Sequence, residues 1–270
     1  MLSMIGRSLK DKRFQLLIIS ASALGFLEMY IALFPTLQKQ ASQMAKLLQE
    51  YPDTMLKAFN IDKSSLTFER LGQFLAMEQF SFVWPILAIV LVVSFANYAF
   101  AGEKERGTIE LLLSQPISRI KLFVARYLTG LIAIAVFCLI SILAIFPFTK
   151  LHSISIQTNG VLLLLIISFL FAWAIYGIAF LASVIFSEKS KATFAVGGIL
   201  ILSYVLNIVA NLKDSLHLLK YFSVFYYYNP TQAIDKTDLL NGALLVFIAI
   251  IAFTFCIGIF WFNKQDISNT

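Results

Sequence analysis

Apolar residues in this chain do not recur singly at helical or strand spacing; they run on in long blocks broken by short charged stretches. A helix crossing a bilayer needs about 20 mostly apolar residues, because each adds about 1.5 Å across a hydrocarbon core about 30 Å thick. Six blocks meet that length: residues 14–37, 80–101, 127–149, 161–186, 192–212 and 239–262. All but the first lack Asp, Glu, Lys and Arg. Transmembrane strands would be short alternating segments, which these are not. The expected fold is an all-α integral membrane protein of six transmembrane helices, folded as a single domain over residues 1–270.

The polar stretches between the blocks add smaller elements. Leu2, Ile5 and Leu9 share one helical face while Arg7, Lys10 and Lys12 point elsewhere, so the start is expected to lie along the membrane surface as an interfacial helix. Ala21-Ser22-Ala23 has the form of a cleavage site, but apolar sequence continues to Leu37, which favours an uncleaved first span. The connection over residues 38–79 is too long for a bare loop. Met44, Leu47, Leu48 and Tyr51 at helical spacing, closed by Pro52, suggest a short helix, and Leu71, Phe74 and Leu75 suggest a second one over the outer mouth.

Composition agrees with burial in lipid. The chain is 59% hydrophobic and 13% charged, against about 45–50% and about 25% in soluble domains. Its 26 Phe suit a lipid-facing surface. The net charge of +6 comes from basic residues beside the ends of apolar blocks, which is where topology signals sit, so nucleic acid is not an expected partner. Arg7, Lys10, Lys12, Arg13, Lys104, Arg106, Arg119, Lys121, Arg126, Lys189, Lys191 and Lys264 fall on one side, on the shorter loops. Positive-inside bias then places both termini in the cytoplasm, in a cell (plasma or inner) membrane.

Candidate chemistry is sparse. Cys138 and Cys256 each lie inside an apolar block, and no Cys/His spacing suits a metal. His152 and His217 fall in outer loops without acidic or cysteine partners at ligand spacing, so no metal site is expected. No nucleophile–base arrangement or carboxylate pair suggests catalysis. Glu28 is the one acid well inside a block, 14 residues past Phe14, or about 21 Å along a helix. It either faces a pathway or a subunit seam, or is a near-interface carboxylate bonded to a neighbouring helix. Ser203, Asn207 and Asn211 are spaced i, i+4, i+8 as a polar stripe that either joins helices or lines a pathway. Gly197 and Gly198 suggest close helix approach. Tyr226, Tyr227 and Tyr228 before the last block read as interfacial anchors or as an outer gate.

The most distinctive stretch is AGEKERGTIELLLSQPISRIKLFVAR, residues 101–126. Gly107 permits a turn, Thr108 can cap a short helix, and Glu110 in its first turn suits the helix dipole. Leu111, Leu112 and Leu113 form an apolar ridge, Pro116 ends it, and Ser118 can cap the next helix. Such a helix either docks in a groove on a soluble partner or covers lipid head groups.

The sequence EKERGTIELLLSQPISR resembles the loop after the second span in permeases of the ABC type-2 exporter family, and the six-span layout resembles that family over nearly the whole chain. The resemblance implies an ABC type-2 exporter fold in which residues 108–114, within a segment of about 103–115, form a coupling helix that docks on a nucleotide-binding subunit. It assigns contact and hinge roles to Glu103, Arg106 and Gly107, counts Thr108, Glu110, Leu111 and Leu112 with them as ATPase-coupling residues, and gives a minor contact to the loop holding Glu188 and Lys189. The chain has no GxxxxGK[ST] motif with which to cradle phosphates. ATP and Mg are therefore expected on separate ABC ATPase subunits, two of them, with a second permease copy or related subunit completing the assembly. The expected role is half of an export pathway, with no enzymatic activity of its own. The alternative is an anchor or sensor subunit of an ATPase complex, and a more distant one an ion-coupled transporter.

Overall fold

The structure, a computed structural model, describes residues 2–39, 70–109, 118–212 and 214–265. Six helices are long and apolar enough to cross a membrane: Leu2–Lys39, Leu71–Ala99, Arg119–Leu151, Thr158–Ile185, Lys189–Leu212 and Ala243–Lys264. We refer to them as the first to sixth spans. The all-helical, six-span architecture expected from the apolar blocks is the one observed, and the described residues contain no strand.

The fourth span is the axis of the bundle. It packs against the second, third, fifth and sixth, and 56% of its most apolar stretch is buried against 22% for the sixth span. Its inward face carries Ile167, Phe171, Ile175, Tyr176 and Phe180, all closed to solvent. Close approach to this helix occurs where glycine leaves room. A Cβ on Gly130 of the third span would lie 2.2 Å from the Tyr176 ring, and one on Gly160 would lie 2.3 Å from the Ile234 carbonyl oxygen. Gly197 and Gly198 do not serve this purpose: no described atom comes within 4 Å of where their Cβ would be. The fifth span leaves that face bare, along with Phe194, Ile201 and Leu202.

Two boundaries differ from the sequence expectation. The amphipathic start is helical but does not turn before the membrane; it is continuous with the first span as one helix, Leu2–Lys39. No proline or glycine separates residues 10–20 to break it, and Ile5 and Ser8 are buried. At about 57 Å this helix exceeds the hydrocarbon core, so one end projects beyond it. Leu71, Phe74 and Leu75 are not an interfacial helix over the outer mouth. They are the buried first turns of the second span. The other candidate segment there, with Met44, Leu47, Leu48, Tyr51 and Pro52, lies outside the described residues.

The second span continues through a π-helical stretch, Ala76–Val83, before resuming as an α-helix at Trp84. Pro85 has no N–H for the Ser81 carbonyl four residues back, and the widened turns directly precede it. The Ser81 hydroxyl bonds the carbonyl of Ala76, five residues earlier, at 2.7 Å. The third span pauses at Ala144 and resumes over Ile145–Leu151. Pro147 accounts for this by withdrawing the donor owed to Leu143.

Between the fifth and sixth spans the chain forms a 3-10 helix, Asp214–Phe222, and two short helices, Val224–Tyr227 and Pro230–Ile234. They pack on the fourth and fifth spans. We call this end the outer end, and the one carrying residues 100–109, 118–121 and 186–189 the basic end.

Candidate functional site: the basic end of the bundle

At the basic end the second span stops at Ala99, and a short helix, Ala101–Glu105, follows. Its three consecutive charged residues reach in three directions. Glu103 pairs with Arg126 of the third span at 3.1 Å, both side chains being nearly closed to solvent. Arg126 in turn donates to Ser8 of the first span at 3.2 Å and lies 5.2 Å from the centre of the Tyr98 ring. Tyr98 donates to Asp11 at 2.7 Å. Lys104 donates to the Val184 carbonyl of the fourth span at 2.5 Å and to Gln265, just past the sixth, at 3.1 Å. Glu105 accepts from the backbone N–H of Lys189 at the start of the fifth span, 3.1 Å away. Residues 103–105 thereby tie the root of the following loop to the third, fourth and fifth spans and to the residue past the sixth, and Arg126 extends the network to the first.

The polypeptide then turns sharply. Gly107 adopts φ +68°, a left-handed conformation that glycine enters without steric cost. Thr108 donates its hydroxyl to the Glu103 carboxylate, closing the turn back on the hub. Arg106 stays half exposed, 3.6 Å from Glu103. Ser118 caps the third span, accepting from the Lys121 N–H at 3.3 Å, as the sequence predicts. Burial pushes the Lys104 ammonium down to about 8 from its usual value of 10.5.

The structure divides the residues singled out from sequence. Glu103, expected at a partner contact, is turned inward and holds the loop in place. Arg106, Glu188 and Lys189 are at the surface; Glu188 pairs with Lys191 at 2.6 Å, and Lys189 lies 3.9 Å from Glu105. Glu110, Leu111 and Leu112 lie outside the described residues. By sequence alone, Arg126 counts only among the basic residues that set topology. The signal that it is more was present in the sequence: an arginine directly abutting the apolar block that opens at Tyr127 faces heavy desolvation unless a carboxylate accompanies it.

At the outer end, Glu28 bonds the Nε2 of His152, at the end of the third span, at 2.8 Å. Glu28 is thus held by a residue at the end of a neighbouring span. Ser203 accepts from the backbone N–H of Val224 at 2.9 Å and lies 3.3 Å from the Ser223 hydroxyl, so this part of the stripe fixes the short outer helices to the fifth span. Asn207 is buried and its carbonyl oxygen has no partner among the described residues; Asn211, one turn on, is half buried. The tyrosines separate as well. Tyr226 is partly exposed, Tyr227 is buried at the end of its short helix, and Tyr228 is deep in the bundle. It stacks on Phe171 with ring centres 4.3 Å apart and shares a 3.1 Å hydrogen bond with Ser168. Interfacial anchoring does not describe Tyr228.

Six apolar spans, linked at one end by a compact network of charges, define a multi-pass membrane protein. The chain belongs to the ABC-2 family of transporter proteins, whose family model matches residues 5–267. It is the membrane component, a permease, of an ABC transporter, and it associates with an ABC ATPase. Comparison with curated proteins yields no significant match.

Proposed function

We propose that this permease forms half of the translocation pathway of an ATP-driven exporter, and that it is coupled to separate ATPase subunits through the loop 101–120. The observation that carries this reading is the divergence of Glu103, Lys104 and Glu105 to the third, fourth and fifth spans. A loop rooted in that way transmits a displacement to the whole bundle rather than to one helix. Arg106, Gly107, Thr108, Glu110, Leu111 and Leu112 form the docking segment, Glu103 is its positioning residue, and Glu188 and Lys189 make the minor contact. The basic end then faces the cytoplasm of a cell membrane, where ATP and Mg reside on the two ATPases.

A second permease copy, or a related subunit, covers the uncovered face of the fifth span and completes the pathway. Glu28, Ser203, Asn207, Asn211, Tyr226, Tyr227 and Tyr228 are its candidate lining and gate positions. Among them Asn207 has the clearest claim, since a buried amide oxygen without a partner is costly unless another group meets it.

Affinity purification of the tagged chain from its native membrane in mild detergent, with gentle crosslinking, tests the reading. An ATPase with phosphate-binding motifs should co-purify and be lost in Leu111→Asp/Leu112→Asp. Retention of the ATPase by that variant would displace the docking site. Its absence from the native chain after crosslinking would overturn the coupling itself.

A further inference from the structure

A cleft of about 590 Å³ opens between the first, second and fifth spans at the basic end. Three cations, Lys12, Arg106 and Lys189, line its mouth, and no acidic residue among the described residues lines it. Its deeper wall is apolar, with Val90 and Val93 from the second span and Leu200 from the fifth. We propose that this cleft holds one anionic phospholipid, its phosphate among the three cations and an acyl chain along the apolar wall.

Among the described residues these charges are poorly compensated. Lys12 donates to Gln15 at 3.1 Å and to Ser94 at 3.2 Å, both neutral. Arg106 donates to the neutral Gly102 carbonyl at 3.0 Å, and the carboxylate it approaches, Glu103 at 3.6 Å, is committed to Arg126 at 3.1 Å. Lys189 is 3.9 Å from Glu105, with both side chains about half exposed, a geometry that contributes little. Asp11 accepts from the Tyr98 hydroxyl. A phosphate among the three cations would relieve their mutual repulsion and accept several charge-assisted hydrogen bonds.

The dimensions select a lipid over a free anion. Leu200 lies 11 residues beyond Lys189 on the same helix, so the cleft runs about 16 Å from its cationic mouth into the hydrocarbon. That is about half of a bilayer core, the depth of a single leaflet. Gly197 widens the wall at this level, with nothing packed within 4 Å of it. A free phosphate would use only the mouth and leave the apolar wall unoccupied.

The test is native mass spectrometry of the full chain released from mild detergent, titrated with phosphatidylglycerol and, separately, phosphatidylcholine. One phosphatidylglycerol should bind in preference to phosphatidylcholine. Each of Lys12→Gln and Lys189→Gln should weaken it about fivefold, from about 1 kcal/mol per basic side chain near anionic lipid. Leu200→Trp, which fills the apolar wall and keeps every charge, should also reduce binding. Arg7→Gln/Lys10→Gln removes two exposed charges outside the cleft and should leave binding unchanged.

Equal weakening by that control pair would overturn the proposal, showing only a general attraction to basic protein. Undiminished binding in the Lys12 and Lys189 variants would overturn it too. So would full displacement by millimolar inorganic phosphate, because the acyl chain would then contribute nothing. No step requires transport or an ATPase, so failure here leaves the coupling proposal standing, and the reverse also holds.

Discussion

The Glu103 carboxylate and the Arg126 guanidinium lie 3.1 Å apart, with only 9% and 8% of the two residues exposed. They join residues 23 apart in the chain and close the basic end of the bundle. A buried pair of this kind is weak evidence of net stabilisation, since desolvating both ions offsets their attraction. Its consequence is asymmetric: neither partner can be removed without leaving the other charge buried.

Glu103→Ala should therefore destabilise the protein by about 3–5 kcal/mol, with Arg126→Ala similar. The double variant Glu103→Ala/Arg126→Ala should lose less than the sum of the two single losses. Thermal unfolding in detergent of the four proteins in the cycle gives the coupling. Strictly additive single effects would show that the pair does not act as a unit.

Gly160→Ala and Gly197→Ala should behave oppositely. The new methyl at residue 160 would meet the Ile234 backbone at 2.3–3.0 Å, and backbone cannot rotate out of the way as a side chain can. Overpacking of this sort costs about 1–3 kcal/mol and should show as a lowered unfolding temperature. At residue 197 nothing lies within 4 Å, so alanine should be neutral, or better by up to about 1 kcal/mol through helix propensity.

The tyrosine cluster predicts a graded response. Tyr228→Phe removes the hydroxyl bonded to Ser168 inside the bundle and should cost about 1 kcal/mol. Tyr226→Phe, at a partly exposed ring, should change the unfolding temperature within error. Equal effects at the two positions would contradict the burial difference between them.

How far the sequence carried the fold follows from what its blocks encode. Six unbroken apolar runs leave one solution in lipid, since every backbone polar group must be bonded within its own helix. Length alone therefore sufficed to count the spans. Boundaries were less legible because burial, not composition, decides them. Leu71, Phe74 and Leu75 have the same amphipathic spacing whether they lie on a membrane or open a buried helix. Pro85 and Pro147 mark the irregular turns, yet proline does not specify whether a π-helix or a pause results. At the basic end, EKERG announced a site, but not that Glu103 would turn toward a residue 23 positions later while Arg106 stayed outside. Tertiary pairing of that kind has no local periodicity from which to be read.

Lys104 predicts a pH dependence with a definite sign. Burial lowers its ammonium to about 8, against 10.5 for the exposed group. Between those values the unfolded chain binds the proton and the folded chain does not, so this residue makes stability rise with pH across that window. Below about pH 8 both states are protonated, and the cost of burying the charge is present in full. The neutral amine can still donate to Val184 and Gln265, so deprotonation relieves desolvation without losing the contacts. Unfolding temperatures followed from pH 7 to 10.5 should accordingly show a rising component in the native chain that is absent in Lys104→Met. Identical profiles for the two proteins would mean that the ammonium is hydrated in the folded state, and that the tether from the loop root to the fourth span is looser than its 2.5 Å hydrogen bond indicates.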